Sequence, residues 1–125
     1  MILDTCAILW LAEGGKQLSA EARQLIEDAP VVYVSAISAF EIAVKWRAGK
    51  LRLPVPPGEW FQGIVEHHGL AVQALDWDVC IAAAALPPVH KDPCDRFIIA
   101  AAKIGRLTVV TGDPVFRSYG IDTLS

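Results

Sequence analysis

Four short apolar runs, each followed by helical sequence, constrain this chain more than any other feature. They are Met1-Ile2-Leu3, Val31 to Val34, Ala71 to Leu75 and Leu107 to Thr111. Each is too short to be a stable helix, and the two richest in valine read as buried strands of the parallel type. The segments between them carry helix signals. Cys6 to Ala12 is expected to be helical and to stop at Gly14-Gly15. Ser19 starts a helix over Ala20 to Asp28. Ser38-Ala39-Phe40-Glu41 fits a capping box opening a helix that ends at Gly49, with Phe40, Val44 and Ala48 on one face. Leu51 to Gly58, with three prolines, reads as a loop. Further helices are expected at Glu59 to His68, at Trp77 to Leu86 behind Asp76, and at Pro93 to Ile104 behind the cap Asp92, with Gly105 as the stop. Gly112-Asp113-Pro114 leads into a helical turn, and Ile121 to Leu124 into a last edge strand. Alternating strands and helices predict an α/β fold: a mainly parallel sheet of four to five strands, covered by helices on both faces, in one domain over residues 1–125.

Composition narrows the class. With 54% hydrophobic and 20% charged residues, the chain has ample material for a core, which excludes disorder as its main state. A mean hydropathy of +0.40 is high for a monomer and suggests apolar surface covered by a partner. No apolar run reaches the ~20 residues of a membrane span. Asp4 without a preceding basic region argues against a targeting signal, so the cytosol is the expected compartment. Three cysteines, Cys6, Cys80 and Cys94, form no C-x-x-C pair and read as small buried hydrophobes. His67, His68 and His90 complete no zinc pattern.

In parallel α/β sheets the ligand site lies beyond the carboxyl ends of the strands. Acids stand there. Asp4 follows the first strand, Glu41 lies one short loop past the second, and Asp113 follows the fourth. Asp92 and Asp95 open the helix before that fourth strand. No G-x-x-x-x-G-K or G-x-G-x-x-G loop competes with them. Each acid also has a purely structural reading: Glu41 in the capping box, Asp92 as a cap, Asp95 favouring a helix N-terminus, Asp113 forming a turn. Asp4 resists that reading, because it continues a central strand where an uncompensated charge is costly. Carboxylates gathered in one place repel unless a hard cation such as Mg²⁺ or Mn²⁺ neutralises them. Such a site suits metal-assisted phosphodiester hydrolysis.

The formal charge of −3 argues against a protein that simply coats nucleic acid. The basic residues are nevertheless clustered: Lys45, Arg47, Lys50 and Arg52 fall within eight positions free of acids. This segment can grip phosphates or pair with an acidic partner. Arg96 follows Asp95 and reads as pairing with an acid. His90 reads as an ordinary loop histidine, less as a general base. His67 and His68, at a helix end, read as partners of its dipole. Trp10, Trp46, Trp60 and Trp77 read as core or interface anchors.

Five stretches, in order, resemble the PIN-domain ribonucleases, most closely the VapC-like toxins of bacterial toxin–antitoxin modules. They are residues 2–5 (ILDT), 34–43 (VSAISAFEIA), 49–54 (GKLRLP), 90–102 (HKDPCDRFIIAAA) and 107–113 (LTVVTGD). The resemblance implies an acidic quartet at Asp4, Glu41, Asp95 and Asp113, with a small hydroxyl at Thr5 and Asp92 in support; Thr111, two residues before Asp113, and Arg96 and Lys45 are further candidates for support or substrate contact. It implies Mg²⁺ or Mn²⁺ held by Asp4, Asp95 and Asp113, with Glu41 as a further ligand or as the group orienting water. It also implies cleavage of RNA to 5′-phosphate and 3′-hydroxyl ends, a small VapB-like antitoxin as partner, and a homodimer. Cys94 departs from the pattern, standing where a larger apolar residue is expected. The alternative is a catalytically silent PIN-like module that binds RNA or protein. A haloacid-dehalogenase-like phosphatase would need an acid where Cys6 stands. A receiver domain would need an acidic pair at the first strand and a late lysine near Thr111; neither is present.

Overall fold

The computed structural model describes residues 1–125. Five parallel strands form one sheet: β1 (Ile2–Leu3), β2 (Tyr33–Ser35), β3 (Ala71–Gln73), β4 (Val109–Val110) and β5 (Thr123–Leu124). Their order is β3-β2-β1-β4-β5, so β1 is central and β5 is the expected edge strand. Six helices connect them: α1 (Thr5–Ala12), α2 (Ala20–Asp28), α3 (Ala36–Arg47), α4 (Pro57–His68), α5 (Trp77–Ala85) and α6 (Pro93–Gly105). A 3-10 turn over Pro114–Tyr119 precedes β5.

Alternation along the strands splits the interior into two cores. Leu3, Val34 and Val110 face Ala7, Ile8, Ala22, Ile26 and Trp60 from α1, α2 and α4. Ile2 and Val109 face the opposite side, against Ile98, Ile99, Ala102, Phe116 and Tyr119. Helix α3 contributes Ile37 to the second core and Ile42 to the first. The sheet is therefore covered on both faces, and no helix is long and apolar enough to cross a membrane.

Several local expectations are corrected. Helix α3 starts at Ala36 with Ser35 as its cap, accepting from the Ile37 N–H at 3.1 Å. Ser38 thus lies inside the helix, and its hydroxyl shares a buried 2.9 Å hydrogen bond with Thr5 Oγ1, so the Ser38–Glu41 capping box does not form. The Phe40, Val44 and Ala48 stripe faces outward, with Phe40 61% exposed, because Ile37, Ser38 and Ile42 occupy the inner face. Helix α4 begins at Pro57, two residues before Glu59. Asp76 precedes α5 without a side-chain cap bond. Helix α6 runs through Gly105, and Arg106 takes the left-handed conformation, at φ 52°. A Cβ at position 105 would approach Leu107 Cγ to 3.2 Å, so this glycine allows close packing rather than a left-handed stop. The cysteines are not core residues: Cys6 is exposed, and Cys80 and Cys94 are half-buried. Of the tryptophans only Trp60 is buried; Trp46 and Trp77 are exposed. Burial, then His67, lowers the pKa of His68, which opposes the charged partner of the helix dipole expected there.

Candidate metal centre

The chain turns from one half of the sheet to the other between β1 and β4. In a parallel sheet this switch point leaves a crevice at the carboxyl ends of the strands. Asp4 and Asp113 flank it, following β1 and β4. Helix α3, which leaves β2, carries Glu41, and the first turn of α6 carries Asp92 and Asp95.

Asp4 is 4% exposed and caps α1, its Oδ1 accepting from the Ala7 N–H at 2.8 Å. Burial pushes its pKa up. Hydrogen bonds from Thr111 and Ala7 oppose that shift, while the charges of Glu41 and Asp113 add to it. Thr111 also accepts from the Asp113 N–H at 3.0 Å, so one buried residue stands beside both acids at the crevice. Asp113 Oδ1 accepts from the Val115 N–H, closing the expected turn.

Glu41 forms a 2.8 Å ion pair through Oε2 with Lys45 one helical turn on. Its other oxygen, Oε1, is buried without a hydrogen-bond partner. A buried carboxylate oxygen left in this way is a position that a cation or a water is suited to fill. Asp92 caps α6 through the N–H groups of Cys94 and Asp95, as its structural reading anticipates.

The carboxyl of Asp95 is raised to about 6, first by burial; the His90 hydrogen bond lowers it, and the charges of Asp92 and Glu41 raise it. His90 Nε2 lies 2.7 Å from Asp95 Oδ2. One ligand atom from each of His90, Asp95 and Asp113 lies within 4.8 Å of the others, a cluster one ion can bridge. Asp4 and Glu41 stand outside that tightest group, but their charges are felt within it. The acids fit a divalent cation: they are oxygen donors, mutually repelling, with one buried oxygen unpartnered.

His90 is the functional candidate that sequence reasoning undervalued. Its loop has no periodic pattern to read, and the only available signal was its place five residues before Asp95. Arg96 is a second correction, because it pairs with no acid. Its guanidinium donates to the carbonyls of Ala83, Leu86, Pro87 and His90, tying the end of α5 to the loop before α6. Cys94 borders the acids with its thiol raised to about 11, first by burial and then by Glu41, Asp92 and Asp95, so it remains protonated.

Gly112, between β4 and Asp113, permits the close approach of Trp10. A Cβ there would lie 2.6 Å from Trp10 Cη2. The Gly112→Ala change is expected to displace the indole and cost about 1–3 kcal/mol, read from urea unfolding. Unaltered stability would show that Trp10 moves aside freely.

Five cavities elsewhere on the molecule are lined by none of Asp4, Glu41, Asp95 and Asp113. The largest, about 470 Å³, lies between α1, α2 and α4 beside Arg23, His67 and His68. The acids sit at the carboxyl ends of the strands, on the edge of the sheet.

The pattern of the PIN domain family matches residues 1–122. Ribonuclease VapC22 of Mycobacterium tuberculosis is 33% identical over 120 residues, spanning 95% of this chain and 91% of that protein. Among solved structures, VapBC2 from Rickettsia felis bound to a DNA fragment from their promoter aligns with a TM-score of 0.71 at 12% identity, covering 98% of this chain and 95% of that one. FitAcB from Neisseria gonorrhoeae aligns with a TM-score of 0.66 at 19% identity, covering 99% and 96%. DNA-bound VapBC from Salmonella typhimurium gives 0.67 at 18% identity, covering 98% and 94%. At these identities the structural likeness speaks for the fold.

Proposed function

Because the chain belongs to the PIN domain family, we propose that it is a metal-dependent endoribonuclease, acting in the cytosol as the toxin of a toxin–antitoxin pair. The observation that carries this reading is the convergence of Asp4, Glu41, Asp95 and Asp113 from four elements on the switch-point edge, with Glu41 Oε1 buried and unpartnered. The relative with 33% identity is named a ribonuclease, which supports RNA as the substrate.

Asp4, Asp95 and Asp113 would hold Mg²⁺ or Mn²⁺, with Glu41 at the margin. The bound cation supplies charge neutralisation at the scissile phosphate and an acidified water. The side chains do the rest. The Ala7 N–H holds Asp4 in one orientation, and Thr111 favours its charged form. Lys45 fixes Glu41 through Oε2, leaving Oε1 free to accept a hydrogen from the attacking water and aim it. Asp92 acts from behind, anchoring the first turn of α6 that carries Asp95. Thr5 acts similarly, pinning α1 to α3 through Ser38. Arg47, Lys50 and Arg52 are exposed where α3 runs out beyond Lys45, and they supply cations for the phosphates flanking the cut.

A protein partner is supported by the surface. Phe40, Val44, Trp77 and Ile81 are exposed apolar side chains. A cavity of about 400 Å³ between α3 and α4 is lined by Ala39, Ala43, Phe61, Val65 and Val72. One structural neighbour is described as a toxin–antitoxin complex, from Klebsiella pneumoniae (TM-score 0.60, 19% identity, covering 99% of this chain and 95% of that one). A small VapB-like antitoxin and a second copy of the chain are the occupants proposed for these surfaces.

The test is incubation of the purified chain with total cellular RNA, in Mg²⁺ or Mn²⁺ and in EDTA. Discrete fragments with 5′-phosphate ends that vanish in EDTA are expected. RNA retention without cleavage, with metal binding demonstrated, would instead favour a module that only binds.

A further inference from the structure

We propose that His90 is a metal ligand through Nε2, making the centre a mixed nitrogen–oxygen site that prefers Mn²⁺ and similar first-row ions to Mg²⁺. The inference deepens the nuclease reading and rests on it only for the existence of a divalent-cation site among the acids.

Three observations support it. First, His90 belongs with Asp95 and Asp113 to a cluster whose ligand atoms lie within 4.8 Å of one another, and its Nε2 is 2.7 Å from Asp95 Oδ2. Second, the ring is held in place by its own backbone. The His90 N–H donates to Tyr119 Oη at 2.7 Å, and the His90 carbonyl accepts from Arg96 Nη1 at 3.1 Å. Tyr119 in turn donates to the Pro87 carbonyl at 2.8 Å, and Arg96 donates to it at 3.0 Å. The loop is thus fastened at both ends of the Pro87–His90 stretch. Third, the imidazole packs beside buried Phe116, with ring centroids 6.3 Å apart, and its side chain is only 18% exposed. A loop side chain held this firmly loses little freedom when it takes a ligand, which is how supporting residues tune a metal site.

The chemistry sets the preference. Mg²⁺ takes oxygen ligands and retains its waters, whereas imidazole suits first-row transition ions. To hold an ion through Nε2 the ring would be the neutral Nδ1–H tautomer, its Nε2 lone pair standing where the hydrogen shared with Asp95 Oδ2 now lies; from a neutral Nε2–H ring that hydrogen would pass to Nδ1. His90 then completes a set that the acids alone leave as pure oxygen. Under this assignment Arg96 and Tyr119 are positioning residues: they touch neither ion nor substrate but set where Nε2 points.

The experiment uses the whole metal-free chain. Pulsed electron paramagnetic resonance of the Mn²⁺-loaded protein should show coupling to an imidazole ¹⁴N nucleus, and His90→Gln should remove it. By calorimetry, His90→Gln should weaken Mn²⁺ binding by about tenfold or more while changing Mg²⁺ binding by less than about threefold. Circular dichroism confirms that the variant is folded. Mn²⁺ bound without nitrogen coupling in the unaltered protein would overturn the His90 assignment and leave the nuclease reading standing. Equal weakening of both ions would also overturn it. Failure of the unaltered protein to bind either ion would sink the metal-dependent nuclease reading itself.

Discussion

Replacing Asp4 with asparagine is expected to lower RNA cleavage by roughly a hundredfold to a thousandfold while preserving the fold. The magnitude follows from a cation supplying several kcal/mol of transition-state stabilisation, each ~1.4 kcal/mol being tenfold in rate. Preservation of the fold follows from Asp4's second task. Its Oδ1 accepts from the Ala7 N–H at the start of α1, and an asparagine oxygen can do the same. The side chain is almost fully buried, and burial raises the pKa of the acid, so the neutral amide relieves an unfavourable charge in the metal-free protein. The expected result is therefore a variant at least as stable in EDTA as the original and nearly inactive in Mn²⁺. Asp4→Ala separates the two tasks, because losing the cap costs about 1 kcal/mol in addition. Full activity in Asp4→Asn would remove Asp4 from the proposed machinery.

The second large effect concerns Asp95 and reverses the usual direction for a carboxylate. Its folded pKa is raised to about 6 from 3.8. A raised acid pKa means that the folded state holds its proton more tightly than the unfolded chain does. The corresponding stability is present below about pH 3.8 and is lost as pH rises through about 6. Asp95→Asn has no such group. In EDTA the stability of the variant relative to the original should therefore rise between pH 4 and pH 7.5, by on the order of 2–3 kcal/mol. Adding Mn²⁺ at pH 7.5 should then raise the melting temperature of the original strongly and that of the variant little. Parallel denaturation curves at the two pH values, with and without metal, test this. A difference between the two proteins that stays constant with pH would show that Asp95 is not strained by its burial.

Much of the site is legible in the sequence because the chemistry leaves few other options. A carboxylate continuing a central strand, as Asp4 does, is costly unless it serves some purpose, and the strand pattern placed it correctly. The misreadings share a cause: local signals offered two solutions and tertiary contacts chose between them. Ser35 and Ser38 are both competent caps for α3. Thr5, arriving from α1, engages the Ser38 hydroxyl and leaves the capping to Ser35. Helix α3 is apolar on more than one side, so periodicity could not decide whether Ile37 and Ile42 or Phe40 and Val44 face inward. Gly105 looked like a stop, but the close approach of Leu107 needs its missing side chain and passes the left-handed turn to Arg106. His90 and Arg96 were hardest to read, since their partners Asp95, Tyr119 and the α5 carbonyls are brought together only by the fold.

The central strand has a consequence for when the acidic site can first form. Ile2 and Leu3 pair with Val109 and Val110, which are synthesised long after them. Until that late segment exists, β1 lacks one neighbour, Asp4 has no Thr111 beside it, and Asp113 has not been made. Helices α1 to α5 can form locally on a growing chain, but the acids cannot converge on one edge. A chain interrupted before residue 109 lacks β4 and Asp113 and is expected to cleave no RNA. Long-range pairing of this kind is also slow to form. The acidic site is therefore completed late, after most of the helices that surround it.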